Sequence, residues 1–431
     1  MISLGCTKNL VDSEVMLGRL QNYEMTDESN EADVLIVNTC GFIDAAKEES
    51  INTILAMHET RKDDSVLVMA GCLSERYKAE LQEELPEIDL FTGSGDYDKI
   101  DELIASKNSR FSDAAFLIDE QERVITGSST HAYIKISEGC NQTCSFCAIP
   151  SFKGKLHSRS LISIEKEVKR LTEKGYFDFT FISQDSSSFM RDMGIKDGLV
   201  QLIHTIEKIE GVKSARILYF YPTTTSNLLL DTVAKSEIFN DYYDIPLQHI
   251  EDAMLKRMKR GMGEEQTNKM IQYIKNEPEA FVRTSFIVGH PGEDEATFQT
   301  MKTYIEESDF DMINLFAYSD EESTKAFDMN QKVNPEVIEA RISELQEVVD
   351  QKLMRKLRLM IGKEITVVLN GISDEIELLY SAKNLAWCPD IDPEVLINET
   401  EVEELIAGKL YRCEIVDSGP NQLVGKILEE V

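Results

Sequence analysis

The chain has little of what a membrane-spanning, exported or nucleic-acid-binding protein needs. No apolar run approaches the roughly 20 residues of a membrane span. The start, Met1-Ile-Ser-Leu-Gly-Cys6, lacks the basic and long apolar segments of a signal peptide. Positive charge is scarce: 45 Lys and Arg face 78 Asp and Glu, for a net charge of −33. An acidic balance of this size repels bare nucleic acid and attracts a basic protein partner, or serves solubility alone. Internal repeats are absent as well. What remains is the profile of a cytoplasmic protein with well-filled cores. Its 431 residues, 42% of them hydrophobic, suffice for two to four domains.

Eight cysteines in such a chain indicate metal or redox work rather than disulfides. Cys140-Asn-Gln-Thr-Cys144-Ser-Phe-Cys147 has the spacing C-x3-C-x2-C and follows a strand-like run, Ala132-Tyr-Ile-Lys-Ile-Ser. Three thiolates can hold three irons of a cubic [4Fe–4S] cluster. No fourth cysteine follows nearby, so one iron stays open to a small molecule. Structural zinc is the rival, but it closes its site with four Cys or His ligands. His131 and His157 stand at distances that suit no zinc finger. Cys388 and Cys413 lie outside any motif and are expected to act as small apolar residues.

Residues 1–118 read as a parallel-sheet α/β domain. The apolar runs starting at Met1, Val34 and Val66 each end on a cysteine: Cys6, Cys40 and Cys72. Carboxyl ends of parallel strands share one sheet edge, so these thiols converge, again three and not four. Helices are expected over 12–21 and 43–59. Gly93-Ser-Gly95 reads as a turn, because it lacks the full phosphate-loop fingerprint.

A polar stretch, 119–130, reads as a linker. Residues 131–357 alternate strands (133–137, 177–183, 214–220, 242–246, 281–288 and 312–318) with amphipathic helices (163–174, 197–209, 227–236, 253–276, 293–307 and 335–360). That makes about six βα units, a partial barrel open on one side. Residues 358–431 change texture to short strands at 365–369, 376–380, 395–397, 410–416 and 423–428, a small antiparallel barrel. Its 6 basic against 15 acidic residues give it the wrong sign for RNA.

The three-cysteine loop on the first strand of a six-unit barrel resembles the radical S-adenosylmethionine superfamily. The full order, a three-cysteine α/β domain, this core and a TRAM-like barrel, resembles the methylthiotransferases. The stretches Leu4 to Glu14, Phe146 to Gly154 and Asp244 to His249 are similar to the branch that modifies a ribosomal protein. The sister branch, which acts on adenosine in tRNA, usually opens with Tyr-Gly-Cys and Gln-Met-Asn, where Leu-Gly-Cys and Thr-Lys-Asn stand here.

This resemblance implies methylthiolation of the β-carbon of an aspartate in small-subunit ribosomal protein twelve. It implies two [4Fe–4S] clusters, the radical-generating one on Cys140, Cys144 and Cys147 and an auxiliary one on Cys6, Cys40 and Cys72. S-adenosylmethionine would serve twice, as methyl donor and as radical source, and the partners implied are the basic ribosomal protein and an electron donor. The acidic charge independently suits a basic protein better than tRNA. Many relatives hold the methionine amino group after the second strand, where Gln184 and Asp185 stand; a turn or helix cap serves equally well there. Arg283 is a candidate partner for a carboxylate, and Gly289 for close approach to the adenine. His249 and His290 have no metal spacing and receive no role. The competing expectations are a tRNA adenosine methylthiotransferase and a non-catalytic iron–sulfur carrier, the chain itself being expected to be a monomer.

Overall fold

The computed structural model describes residues 1–112, 116–119, 122–373, 376 and 379–431. Among these residues no helix is long and apolar enough to cross a membrane. Three units follow one another. The first is a four-stranded parallel sheet in the order β1-β2-β3-β4, with β1 (Ile2–Ser3), β2 (Val34–Thr39), β3 (Val66–Gly71) and β4 (Leu90–Phe91). Its central strands are buried on both faces, as their near-continuous hydrophobicity requires. Helices α1 (Thr7–Arg19), α2 (Asp44–Thr60), α3 (Cys72–Arg76), α4 (Lys78–Glu84) and α5 (Ile100–Ser106) connect and cover the strands.

The core unit is a parallel six-stranded sheet in the order β12-β11-β10-β9-β8-β5. Its strands are β5 (His131–Lys135), β8 (Asp178–Ile182), β9 (Ser214–Ile217), β10 (Phe239–Asp244), β11 (Phe281–Val288) and β12 (Met312–Ala317). Two short strands, β6 (Ser137–Glu138) and β7 (His157–Ser158), form a ribbon that frames the three-cysteine loop, with α6 (Ile149–Phe152) between them. The outer face of the sheet packs Ala132, Ile134, Phe179, Phe181, Ala215 and Ile217 into the main hydrophobic core. The alternate residues point inward and are strongly polar: Lys135, Asp178, Thr180, Arg216, Asp244, Arg283 and Asn314.

The expected helix over 253–276 is two helices, Asp252–Met258 and Glu264–Lys275. Lys259 turns left-handed at φ +58, and Gly261 follows at φ +77. Two glycines within three residues made that stretch a poor helix, and the break delivers Arg260 to the cysteine loop. Helix α1 begins at Thr7, well before the expected start at residue 12, so Cys6 itself is the residue at its N-cap.

The third unit is a closed barrel in the order β13-β14-β15-β17-β16, built from β13 (Glu364–Ile372), β14 (Tyr380–Asn384), β15 (Glu394–Thr400), β16 (Leu410–Ser418) and β17 (Gln422–Glu430). Its seams are antiparallel except β15 against β17, which is parallel. The strand expected over 376–380 starts only at Tyr380; Glu377 and Leu378 of that stretch lie outside the described residues.

The barrel plugs the floor of the core sheet. The Leu385 carbonyl accepts from Ser214 Oγ at 2.9 Å, Arg216 at 2.8 Å and Asn240 Nδ2 at 3.3 Å. Trp387 lies 5.3 Å from the Phe281 ring, and Tyr133 donates its hydroxyl to the Pro389 carbonyl at 2.8 Å. Cys388 is fully buried there, among Tyr133, Ile182 and Tyr242. From the opposite end α1 presses Leu10 and Val11 onto the same group. The stretch expected as a linker joins this packing: Arg123 is buried and pairs with Glu14 of α1 and, at 2.8 Å, with Glu167. Glu120 and Gln121 of the same stretch lie outside the described residues.

Candidate functional site

Each cysteine of the first trio stands where a strand gives way to the next element. Cys6 caps α1, Cys40 follows β2 and Cys72 opens α3 directly after β3. Asn9 ties the three strand ends together. Its amide donates to the carbonyls of Leu4 at 3.1 Å and Thr39 at 3.0 Å, and its Oδ1 accepts from the Cys72 thiol at 3.4 Å. Gly5, at φ +84, is pressed on Cys40: a Cβ there would stand 2.6 Å from the Cys40 Cβ. Only glycine lets the first strand come this close.

The second trio sits on the loop between β6 and α6. Its sulfurs are met by donors: Gln142 N to Cys140 Sγ at 3.4 Å, and Arg260 to Cys144 Sγ at 3.3 Å, with the Tyr221 hydroxyl 3.6 Å from the same sulfur. Arg260 also lies 4.2 Å over the Tyr221 ring. Such donors stabilise a thiolate and tune a cluster that it carries. The Ser145 backbone, between two of the cysteines, is pinned by Met258 O at 3.0 Å and by Ala326 N at 2.8 Å. Ser145 Oγ meets His290 Nε2 at 3.1 Å. Burial holds His290 at about 4 and His249 at about 3, so both rings are neutral. His249 Nδ1 accepts from the amides of Ile250 and Glu251.

The two trios meet. Cys72 packs against Ala148, Ile149 and Phe152, the residues directly behind Cys147. Burial pushes the thiols up, Cys40 to about 11 and Cys72, Cys140 and Cys147 to about 12. Each must therefore shed a proton to bind iron, so assembly of a cluster supplies what keeps it ionised. Among the described residues no three Cys, His, Asp or Glu side chains close around a point that fits one metal ion. A cubic cluster needs a wider triangle, because its thiolates bind different irons. Soft sulfur donors, three per site, fit such a cluster, and at the second site N–H donors back Cys140 and Cys144.

Gln184, Asp185 and Gly289 lie just past the carboxyl ends of core strands, whereas Arg283 is the third residue of β11 and sits toward its amino end. Asp185 caps a short 3-10 turn, accepting from Ser188 N at 3.2 Å, and it holds Gln142 Nε2 at 2.8 Å. Gln184 gives its amide to Glu138, while its Oε1 is buried with no hydrogen-bond partner among the described residues. An unmet carbonyl in this place suits an ammonium donor such as an amino acid supplies. Arg283 faces Asp244 and, with the Asn314 amide turned to suit, donates to it at 2.7 Å. Gly289 gives its N–H to Glu293 at 3.0 Å, and a Cβ there would collide with Ile338 at 2.4 Å. Close packing thus accounts for that glycine.

No sequence motif marks the charges buried between the trios. Lys135 Nζ meets Glu138 at 2.8 Å and pairs with Asp12 of α1, all three fully buried. Lys153 joins them at 3.5 Å from Glu138 and 3.7 Å from Asp12. Burial pushes the Glu138 carboxyl up, but Lys135 and Lys153 outweigh it and hold it at about 2. Burial leaves Asp12 raised despite the same lysines. A lysine amid the apolar run Ala132-Tyr-Ile-Lys-Ile was the available signal. Lys8, two residues past Cys6, reaches across to lie 3.6 Å over the Tyr219 ring of the core.

Comparison with known proteins covers all three units. Residues 1–93 match an uncharacterised family, UPF0004; residues 134–305 match the radical SAM superfamily; residues 361–428 match the TRAM domain. The ribosomal protein uS12 methylthiotransferase RimO of Sulfurovum sp. is 59% identical over 431 residues, covering 100% of this chain and 98% of that protein. Its namesake in Sulfurimonas denitrificans is 59% identical over 99% of this chain and 97% of its own length. The corresponding protein of Campylobacter jejuni is 53% identical over 100% of this chain and 98% of its own length. Among solved structures, the radical S-adenosylmethionine methyltransferase TsrM from Kitasatospora setae superposes with a TM-score of 0.54 at 13% identity, over 74% of this chain and 72% of that one. That likeness concerns the fold alone.

Proposed function

The chain belongs to the ribosomal protein uS12 methylthiotransferase RimO family, and on that premise we propose how its residues divide the work. The enzyme is a radical SAM methylthiotransferase of uS12, with a [4Fe–4S] cluster and S-adenosylmethionine as cofactors. In our reading Cys140, Cys144 and Cys147 hold the cluster that engages S-adenosylmethionine, and Cys6, Cys40 and Cys72 hold a second one. Bound there, these groups supply one-electron chemistry able to break an unreactive C–H bond, and the sulfur to be inserted. The target in this reading is the β-carbon of an aspartate, whose C–H no ordinary base removes at neutral pH.

The observation that supports this reading is the contact of Cys72 with the α6 segment behind Cys147. Arg260 donates to the Cys144 sulfur, with Tyr221 beside it, and Gln184 offers its free carbonyl to the amino group of the cofactor. Asp185 orients Gln142 beside Cys140. Arg283 remains the proposed partner of a substrate or cofactor carboxylate, and the strand end at Gly289, whose missing side chain Ile338 already fills, the proposed point where backbone meets the adenine. The domains in this reading are 1–118, 131–357 and 358–431, with 119–130 between them. The enzyme works in the cytoplasm as a monomer, with an electron donor and without binding naked RNA.

Anaerobic reconstitution tests the assignment. About eight irons per chain are expected, and about four once Cys140, Cys144 and Cys147 are all alanine. Eight irons in that variant would sink it. Intact-mass analysis of uS12 from cells lacking the gene should show loss of the methylthio group; its persistence, with loss from tRNA instead, would move the substrate to the sister branch.

A further inference from the structure

Lysines elsewhere on this acidic surface find carboxylates: Lys169, Lys269 and Lys426 pair with Glu165, Glu265 and Glu401, each at 2.6 Å. One stretch breaks the pattern. Lys256-Arg257-Met258-Lys259-Arg260 sets four cations in five residues of a chain whose net charge is −33. Arg257 gives its donors to neutral oxygens, the Asn330 carbonyl at 3.3 Å and Gln331 Oε1 at 3.1 Å. Arg260 turns inward, to the Pro246 carbonyl and the Cys144 sulfur. Lys256 and Lys259 are exposed and form no ion pair among the described residues. Lys325, from the segment after β12, is exposed and equally without an ion pair there. It stands beside Lys259, whose ammonium its charge pulls below the ordinary lysine range. Like charges set side by side repel, and with 78 Asp and Glu in the chain a neutralising neighbour was readily available. None stands there.

The position of the pair gives this charge a use. Met258, next to Lys259, accepts from Ser145 N at 3.0 Å, and Ala326, next to Lys325, donates to Ser145 O at 2.8 Å. Both lysines thus stand one residue away from partners of the backbone between Cys144 and Cys147. The Lys259 carbonyl accepts from the Tyr221 hydroxyl at 3.4 Å, and that hydroxyl lies 3.6 Å from the Cys144 sulfur. Two short contacts therefore lead from the backbone of the patch to the sulfur. Phe327, two residues past Lys325, is 42% exposed and offers an aromatic anchor on the same segment. Basic charge around an aromatic anchor selects an acidic protein and repels a basic one such as the substrate. The net charge of the whole chain opposes an acidic partner from afar. At about 0.1 M salt, screening limits that repulsion to about 10 Å, so the local patch decides the encounter.

We propose that Lys259 and Lys325, with Lys256 and Phe327 around them, form the docking surface for a small acidic protein that carries single electrons, seated against the Cys140–Cys147 loop. The proposal rests on the reading that Cys140, Cys144 and Cys147 hold a cluster. In the docked pair the reduced carrier gives up one electron and the cluster takes it; no atom passes between the proteins. The route runs past Tyr221 to the Cys144 sulfur.

The test uses full-length reconstituted protein with flavodoxin as the probe and, in a second series, a plant-type ferredoxin. Titration calorimetry measures binding of the oxidised carrier. Anaerobic stopped-flow mixing with the reduced carrier follows its oxidation, and dithionite serves as the small reductant that needs no docking. Lys259→Glu/Lys325→Glu should keep the iron content and the dithionite-reduced electron paramagnetic resonance spectrum of wild type. It should bind the carriers more weakly and oxidise them more slowly, by about tenfold or more in each case. The double arginine variant should match wild type, and the double glutamine variant should fall between. Raising salt from about 0.1 to about 0.5 M should slow the wild type severalfold and the double glutamate variant far less. Unchanged carrier kinetics in the double glutamate variant overturn the proposal, and so does an equal loss with dithionite. A wild-type protein that dithionite reduces, but that neither binds nor oxidises either carrier, overturns it as well. A short RNA bound by wild type and lost in the double glutamate variant, with carrier kinetics unchanged, reassigns the patch to nucleic acid. A wild-type protein in which dithionite produces no reduced-cluster spectrum defeats the cluster assignment first, and the docking surface with it.

Discussion

Asp392 shows what a single carboxylate costs beneath the core. Burial pushes it up to about 6, against the pull of Arg283, while its Oδ2 accepts from Cys388 N at 2.8 Å. Below about pH 4 both the folded and the unfolded chain hold this proton, and the group has no effect on stability. Between pH 4 and 6 the folded chain keeps a proton that the unfolded chain has lost, so stability falls as pH rises. Above pH 6 the penalty is constant, at about 3 kcal/mol or less. Asp392→Asn keeps the acceptor and removes the charge. Its stability relative to wild type should therefore grow from pH 4.5 to pH 7, by about 1–3 kcal/mol in urea unfolding. An equal difference at both pH values would refute this account. The six motif cysteines were legible in the sequence because spacing and strand-end position are local properties. Lys153 was not, although it lies inside the motif that begins at Phe146. Nothing in a linear string says that its ammonium folds back onto α1 and Tyr97.

At the scale of elements, the segment after β12 does the joining. Glu321, 2% exposed, accepts from Arg76 of α3 at 2.7 Å and from Lys47 of α2 at 2.9 Å. Arg76 also donates to the carbonyl of Gly41, next to Cys40, at 2.8 Å, while Ala326 further along bonds Ser145. One short segment thus touches the surroundings of three motif cysteines, Cys40, Cys72 and, through Ser145, Cys144. Glu321→Ala leaves the buried Arg76 without its carboxylate, while Lys47 keeps Asp44 at 2.6 Å, and should cost about 2–4 kcal/mol, with Glu321→Gln intermediate. Thermal unfolding of the iron-free protein should show the loss. A shift below about 1 kcal/mol would mean that solvent already screens the pair. The sheet elements were readable from runs of apolar residues, and all six core strands start within about three residues of their expected starts. The split of the 253–276 helix was written in Gly261 and Gly263 but masked by strong amphipathic periodicity on either side. The parallel seam of the small barrel follows from chain path, which a pattern of alternation does not encode.

At the scale of the molecule, the units interlock rather than line up. Helix α1 closes one end of the core sheet with Leu10 and Val11, and the segment 385–392 closes the other. Removing residues 362–431 would uncover Arg216, Asp178 and Tyr133, inward side chains that the core cannot cover by itself. The truncated protein is expected to aggregate on expression and to lose the cooperative unfolding of the whole chain. A soluble fragment with a single sharp transition would contradict this. The domain order was legible from changes in texture along the chain. The depth of the contacts was not, because Leu385 contributes only a backbone carbonyl, and every residue type carries one. That carbonyl, shared by Ser214, Arg216 and Asn240, has a consequence for protein engineering. A chimera that exchanges the terminal barrel with that of a relative must transplant the 385–392 turn together with Ser214, Arg216 and Asn240 as one heritable block, since the boundary between modules runs through the hydrogen bonds and not through the gap in the chain.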